Sequence, residues 1–338
     1  MRKTLHTAYG ILLLREGQRP AATREFQSAL REDSTFAPAL SGLAVVSLLG
    51  GETQDSSARL GAVVKQTSNG AIDMLTRMNL GHALWLAGRG ADARPHLLAA
   101  IKAFPGFTSL HVALGEIALA SGDRTEAIER LSKGVELCAS KPAKPAAVEA
   151  NPSAQSSMLR LAVGGPSSGT EPLCNRARTT LGAALASAGA SEAPRRPAEA
   201  REMLDRALAL PLDPMTRAKS LFLRGTLQLA AGNNAGARED LTRALTGPLP
   251  EDLKAAAHNN LGVALHRTGN PAEAARQFEA TTRGGAASAQ ATLNLAIALH
   301  ERGEPARALP LYEQYVRMGG PRADEVRAWV EDLRRIYR

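Results

Sequence analysis

Across residues 256–267 the apolar residues Leu261, Val263, Ala264 and Leu265 form a broad stripe and do not alternate with polar ones, which predicts a short helix. Gly269 follows where a left-handed residue ends a helix, and Pro271 stands just past it, where a first-turn proline costs little. A second helix then carries Ala274 and Phe278. Four marks describe the pair: Gly262, Gly269 seven residues on, Ala274 twelve on and Phe278 sixteen on. The same grid fits Gly10, Gly17, Ala22, Phe26, then Ala44, Gly51, Ser56, Leu60, then Gly81, Gly88, Ala93, Leu97. It fits Gly115, Gly122, Ala127, Leu131, then Gly225, Gly232, Ala237, Leu241, and Ala296, Gly303, Ala308, Tyr312. A further copy, Gly182, Gly189, Ala200, Leu204, keeps the ends of the grid with six extra residues in its middle. On this reading the turn mark is glycine in all eight copies.

Gly or Ala at the first mark and Ala at the third let two helices approach closely, while Phe278 or its leucine equivalents fill the space behind. A hairpin of this size cannot bury its own apolar face, so neighbours must stack to make a core. The first marks include three intervals of 34 residues, 10 to 44, 81 to 115 and 262 to 296. In this spacing the chain resembles the tetratricopeptide repeat, a 34-residue helical hairpin with Leu-Gly, a small residue and an aromatic at these offsets. The departures are His6, His111 and His258 in place of an early aromatic, and a clear proline after the second helix only at Pro105.

The expected fold is all-α, a right-handed superhelical solenoid of about eight helix-turn-helix repeats with a C-terminal capping helix. Repeats one to four occupy 3–138 and repeats five to eight occupy 174–321. Between Gly115 and Gly182 the period breaks, and residues 139–173, rich in Pro, Ser, Gly and Ala, read as a flexible insertion. Its apolar centre, MLRLAV at 158–163, reads as a short collapsed patch or as a segment that docks back on the solenoid. In 322–338, Val326, Trp329, Val330, Leu333 and Tyr337 recur at helical spacing, as a closing helix requires.

Composition adds three points. Hydrophobic residues make up 44% and aromatics only 4%, which suits a closely packed helical stack. No apolar run reaches about 18 residues, so no membrane span is expected. The opening MRKTLHTAYGILLLREG imitates a signal peptide, yet Gly10 and Gly17 are grid positions, so it reads as the first helix of the first repeat. That repeat starts uncapped, which implies a lost upstream segment or a partner over the outer face of Ile11 to Leu14. The net charge is +8, but lysine supplies only 8 of 41 basic residues and the arginines stand beside acids, as in RRPAEAREMLDR at 195–206. Nucleic-acid binding, which favours clustered basic stripes and stacking aromatics, is therefore not expected.

No nucleotide loop, nucleophile elbow or HExxH pair occurs, so no catalytic residue, cofactor or metal is assigned. His266 and His300 share a grid position, but no third ligand accompanies them. The two cysteines, Cys138 and Cys174, flank the insertion at positions that stacking brings together. They form a disulfide closing its base, as in an oxidising compartment, or stay as reduced, partly buried thiols.

The resemblance implies a concave surface made by the first helices of successive hairpins, holding a peptide or helix of another protein. Residues expected there are Asn79, His82, Trp85 and Glu116 in the first half, along a largely apolar trough with Ile11, Leu14, Val45 and Leu48. In the second half they are Phe222, Asn259, Asn260, Val263, His266, Asn294, Ile297 and His300. An asparagine two places before the first mark either bonds a peptide main chain or registers neighbouring helices. The expected function is a non-catalytic protein-interaction scaffold, either a cytoplasmic adaptor or a periplasmic, cell-envelope assembly or motility scaffold shorn of its targeting segment. A nucleic-acid-binding or enzyme-associated module is a third class. Neither the partner nor the oligomeric state is legible.

Overall fold

The computed structural model describes residues 2–66, 71–139, 171–283 and 288–336, and these hold seventeen helices and no strand. The helices are α1 Arg2–Arg15, α2 Arg19–Glu32, α3 Ala37–Leu49, α4 Thr53–Gln66, α5 Ala71–Leu86, α6 Gly90–Ala103, α7 Thr108–Ala120 and α8 Arg124–Ala139. They continue as α9 Glu171–Glu192, α10 Pro197–Leu208, α11 Pro214–Ala230, α12 Asn234–Thr246 and α13 Glu251–Arg267. The last four are α14 Pro271–Arg283, α15 Ala289–Glu301, α16 Pro305–Arg317 and α17 Ala323–Ile336. Two compact units, Met1–Ala184 and Leu185–Arg338, divide within α9.

In the first unit α1 to α8 pack each on the next, and α1, α3, α5 and α7 also touch in succession. In the second unit α10 to α17 do the same, with α11, α13 and α15 touching in succession. This is hairpin stacking, and each unit has its own apolar core, from Ile11 to Ile117 in the first and from Ala218 to Leu333 in the second. The reason for the repeated glycine is visible at Gly262. A Cβ built there would lie 2.5 Å from Cε1 of Phe278, so only hydrogen lets α13 close on α14. The turn residue Gly269 has φ 77°, and Asn270 N donates to Leu265 O at 2.9 Å, which closes α13.

One copy departs from the grid as read from sequence. Seven turn glycines, Gly17, Gly51, Gly88, Gly122, Gly232, Gly269 and Gly303, have positive φ, whereas Gly189 lies inside α9, which runs on to Glu192. A Cβ at Gly189 would fall 3.0 Å from Leu204 and 3.1 Å from the Ala200 carbonyl, so Gly189 is the close-approach glycine of this hairpin. The next such glycine, Gly225, is 225 − 189 = 36 residues on, near the common period. The six residues assigned to the middle of the hairpin instead lengthen its first helix. Contact geometry, not the glycine itself, sets the register.

The outer face of α1 narrows to Leu12 within the stretch from Ile11 to Leu14. Ile11 and Leu14 are buried, and the exposed apolar residues are Leu5, Tyr9 and Leu12 at 72%, 51% and 47%. At the other end Val326, Val330 and Leu333 of α17 are buried against the last hairpin, and buried Tyr315 accepts a hydrogen bond from Arg322 N at 2.9 Å. Tyr337 and residues 140–170, with MLRLAV, lie outside the described residues. A polar tie crosses the second unit: Arg224 on α11 donates to both oxygens of buried Asp240 at 2.6 and 2.7 Å and to Asp205 at 2.7 Å.

Candidate functional site

On α11, α13 and α15 a set of short amides and hydroxyls meets between the helices. They form a one-way chain of hydrogen bonds. Gln290 Nε2 donates to Asn294 Oδ1 at 2.9 Å, and Asn294 Nδ2 donates to Asn259 Oδ1 at 3.1 Å. Asn259 Nδ2 donates to Asn260 Oδ1 at 3.4 Å, Asn260 Nδ2 to Thr226 Oγ1 at 3.1 Å, and Thr226 Oγ1 to the Phe222 carbonyl at 2.9 Å. An asparagine amide has two donor hydrogens and an oxygen with two lone pairs. Each of the three asparagines uses one donor and one lone pair in the ladder and keeps one of each. All three are half-buried.

Beside the ladder, Val263, His266, Arg267, Phe278, Asn294 and Ile297 line a hollow of about 200 Å³. Ile297 also borders a larger hollow of about 590 Å³, walled by His300, Tyr312, Arg322, Trp329 and Leu333 among others. Tyr312 and Trp329 meet edge to face there at 5.9 Å, and Arg322 lies 5.1 Å from the Trp329 centroid on its face. Burial, helped by the Glu301 charge, pushes the Tyr312 hydroxyl up to about 12, so it stays a donor at neutral pH. His266 and His300 do not join: His266 Nε2 pairs with Glu301 at 2.6 Å, and His300 Nδ1 meets Tyr312 Oη at 3.4 Å.

The first unit gives a different outcome. Asn79 and His82, expected on the groove surface, are 0% and 1% exposed, and Val45 and Leu48 are buried with them. These positions belong to the stack of α3, α5 and α7 and lie in its core. His82 Nδ1 donates to the Met78 carbonyl at 2.8 Å, and burial lowers its imidazole to about 4. Neither polar atom of Asn79 has a hydrogen-bond partner. At the place one after the preceding hairpin's first mark, where Thr226 receives Asn260 in the second unit, the first unit has Val45, which offers no side-chain acceptor.

Trp85 and Glu116 do reach the surface, at the edge of a hollow of about 700 Å³, and they are already engaged. The Arg176 guanidinium lies 4.7 Å over the Trp85 ring and donates from Nε and Nη2 to the two Glu116 oxygens at 2.6 Å each. Sequence reading missed Arg176, since it lies outside the grid and pairs across 60 residues. Two residues before it, Cys174 is bonded to Cys138, with Cα atoms 5.8 Å apart. The three early histidines act through hydrogen bonds: His6 meets Glu25 at 2.7 Å, His258 meets Gln277 at 2.8 Å and His111 donates to the Pro105 carbonyl at 2.9 Å.

Among the described residues no group of three or more His, Cys, Asp or Glu is placed to hold a metal ion, and no helix is long and apolar enough to cross a membrane. A tetratricopeptide-repeat family model matches residues 78–142, 222–280 and 267–323. The chain is a tetratricopeptide-repeat protein. No curated protein matches the sequence. Among solved structures, that of Pseudomonas aeruginosa PilF is 16% identical over 77% of this chain and 99% of its own, with a TM-score of 0.39. YrrB, described as a TPR protein with an unusual peptide-binding site, is 15% identical over 66% of this chain and 91% of its own, with a TM-score of 0.39. A tetratricopeptide repeat protein from Parabacteroides merdae is 10% identical over 98% and 99%, with a TM-score of 0.33. Tetratricopeptide repeats of this kind support a protein-interaction scaffold.

Proposed function

We propose that this protein is a non-catalytic scaffold that holds an extended segment of a partner protein along α11, α13 and α15. The observation that carries the reading is the amide ladder from Gln290 to Thr226. Peptide main chain presents donors and acceptors in alternation, and Asn259, Asn260 and Asn294 offer both in one row. The flanking hollows at Ile297 and Trp329 suit apolar side chains of the same segment. The test is selection of peptides from a random displayed library on the full chain, followed by affinity measurement on an Asn259→Ala, Asn294→Ala variant. A loss of at least about tenfold is expected, since each hydrogen bond contributes about 1 kcal/mol. Unchanged affinity with unchanged helix content would refute the ladder as the peptide site.

A second observation bears on the compartment. The bond between Cys138 and Cys174 favours an oxidising setting, hence a cell-envelope or periplasmic scaffold over a cytoplasmic adaptor. Thiol counting on protein purified without reductant decides this. No titratable thiol before reduction and two after it support the envelope reading, and two before reduction support the cytoplasmic one.

A further inference from the structure

Arg176 does in the first unit what an incoming ligand would do. Its guanidinium is sandwiched between an aromatic face and a carboxylate, with Trp85 at 4.7 Å and both Glu116 oxygens at 2.6 Å. We propose that Trp85 and Glu116 form a receptor for an arginine side chain on a partner polypeptide, and that Arg176 fills it in the resting protein.

Three observations carry this. The pairing chemistry is specific: a planar fork matched to two carboxylate oxygens and stacked on indole selects guanidinium over ammonium. The two halves are unequal. The Glu116 side chain is only 16% exposed, whereas Arg176 is 49% exposed and comes from a segment 60 residues away. Glu116 is thus the more enclosed of the two, while Arg176 stands on the exposed face of α9, whose Cys174 and Ala177 are buried. Emptied, the site would leave the Glu116 carboxylate without its bidentate partner, which makes a cation its fitting ligand. Beside it, the hollow of about 700 Å³ floored by Ala91, Ile117 and Ala120 has room for small apolar residues flanking the partner's arginine.

The Cys138–Cys174 bond holds the start of α9 in place and keeps Arg176 close to its site. A tethered competitor reduces the apparent affinity for an external arginine in proportion to the fraction of time it leaves the site vacant. The site lies in the first unit and its test is independent of the amide ladder in the second.

The test uses the full chain in a Trp329→Phe background, so that Trp85 is the remaining tryptophan, with Arg176 intact or replaced. The probe is the blocked peptide Ala-Ala-Arg-Ala-Ala, and the control carries citrulline, which keeps the shape without the charge. Quenching or shift of Trp85 fluorescence reads binding. Arg176→Ala is expected to bind the arginine peptide at least about tenfold tighter than the parent, and at least about tenfold tighter than it binds the citrulline peptide. Adding Glu116→Gln abolishes both differences. Arg176→Gln, which keeps a stem over Trp85, is run alongside and gives the same ranking if Arg176→Ala disturbs the helix. Equal affinities for parent and variant, equal affinities for the two peptides, or no binding by either variant up to about 10 mM overturn the proposal. So does dimerisation of Arg176→Ala on mixing with the parent, which would assign the site to a second copy of this chain.

Discussion

Gly262→Ala adds one methyl group to the seam between α13 and α14, and its effect can be worked from distances. The new Cβ would stand 2.5, 2.7 and 2.8 Å from Cε1, Cδ1 and Cζ of Phe278. Carbon atoms settle at about 3.5 to 4.0 Å, so ring and helix must separate by about 1 Å. Phe278 is 2% exposed, and the space open to its ring is the hollow of about 200 Å³ that it lines. Overpacking of this kind costs about 1 to 3 kcal/mol, against which alanine returns about 1 kcal/mol of helix propensity. The net expectation is a loss of up to about 2 kcal/mol, or up to several degrees in Tm. Phe278→Leu should restore much of it, because the second hairpin already pairs Ala44 with Leu60 at these positions. Gly269→Ala is the control: nothing lies within 4 Å of its built Cβ, and its penalty comes from φ 77° alone. Urea unfolding followed by circular dichroism and by Trp329 fluorescence, in a Trp85→Phe background, reports on the second unit. A double-mutant cycle should give about 1 kcal/mol of coupling between Gly262→Ala and Phe278→Leu and none between Gly269→Ala and Phe278→Leu. Additivity in both cycles would refute the close-approach account.

Opening the crosslink is expected to lower stability by up to about 4 kcal/mol in the chain-entropy account, because it closes a loop with a sequence separation of 36. Thermal melts with and without reductant measure this, and a Cys138→Ser, Cys174→Ser variant should show no response to reductant. Val45→Thr is expected to give the Asn79 amide an acceptor and add roughly 1 kcal/mol, a gain that should vanish in an Asn79→Ala background. His82, lowered to about 4 by burial, is neutral in the folded chain where the unfolded chain, near 6.5, already binds a proton. Its contribution is therefore full above about pH 6.5 and lost as pH falls toward 4, on the order of 3 kcal/mol in all. His82→Phe should flatten this slope in denaturation measured from pH 7 to 4, and parallel curves for the two proteins would contradict the assignment.

The hairpin, its turn and its seam are legible in the chain alone. Spacing between Gly262, Gly269, Ala274 and Phe278 is a local property, set by the helical period and by glycine's access to positive φ, so it reads directly from the chain. The closing helix was legible for the same reason, through Val326, Val330 and Leu333. The amide row was half legible: Asn260 and Asn294 stood out by position, but their hydrogen bonds run to residues 34 and 35 places back. Only stacking decides whether such an asparagine ends in a ladder, as Asn260 does on Thr226, or inside the core, as Asn79 does near Val45. The fifth hairpin shows the same limit, since Gly189 reads as a turn until Leu204 and Ala200 are seen against it. Arg176 was beyond reach altogether. Its meeting with Trp85 and Glu116 depends on where α9 returns to the first unit, and no periodicity within the chain encodes a contact made across an aperiodic segment.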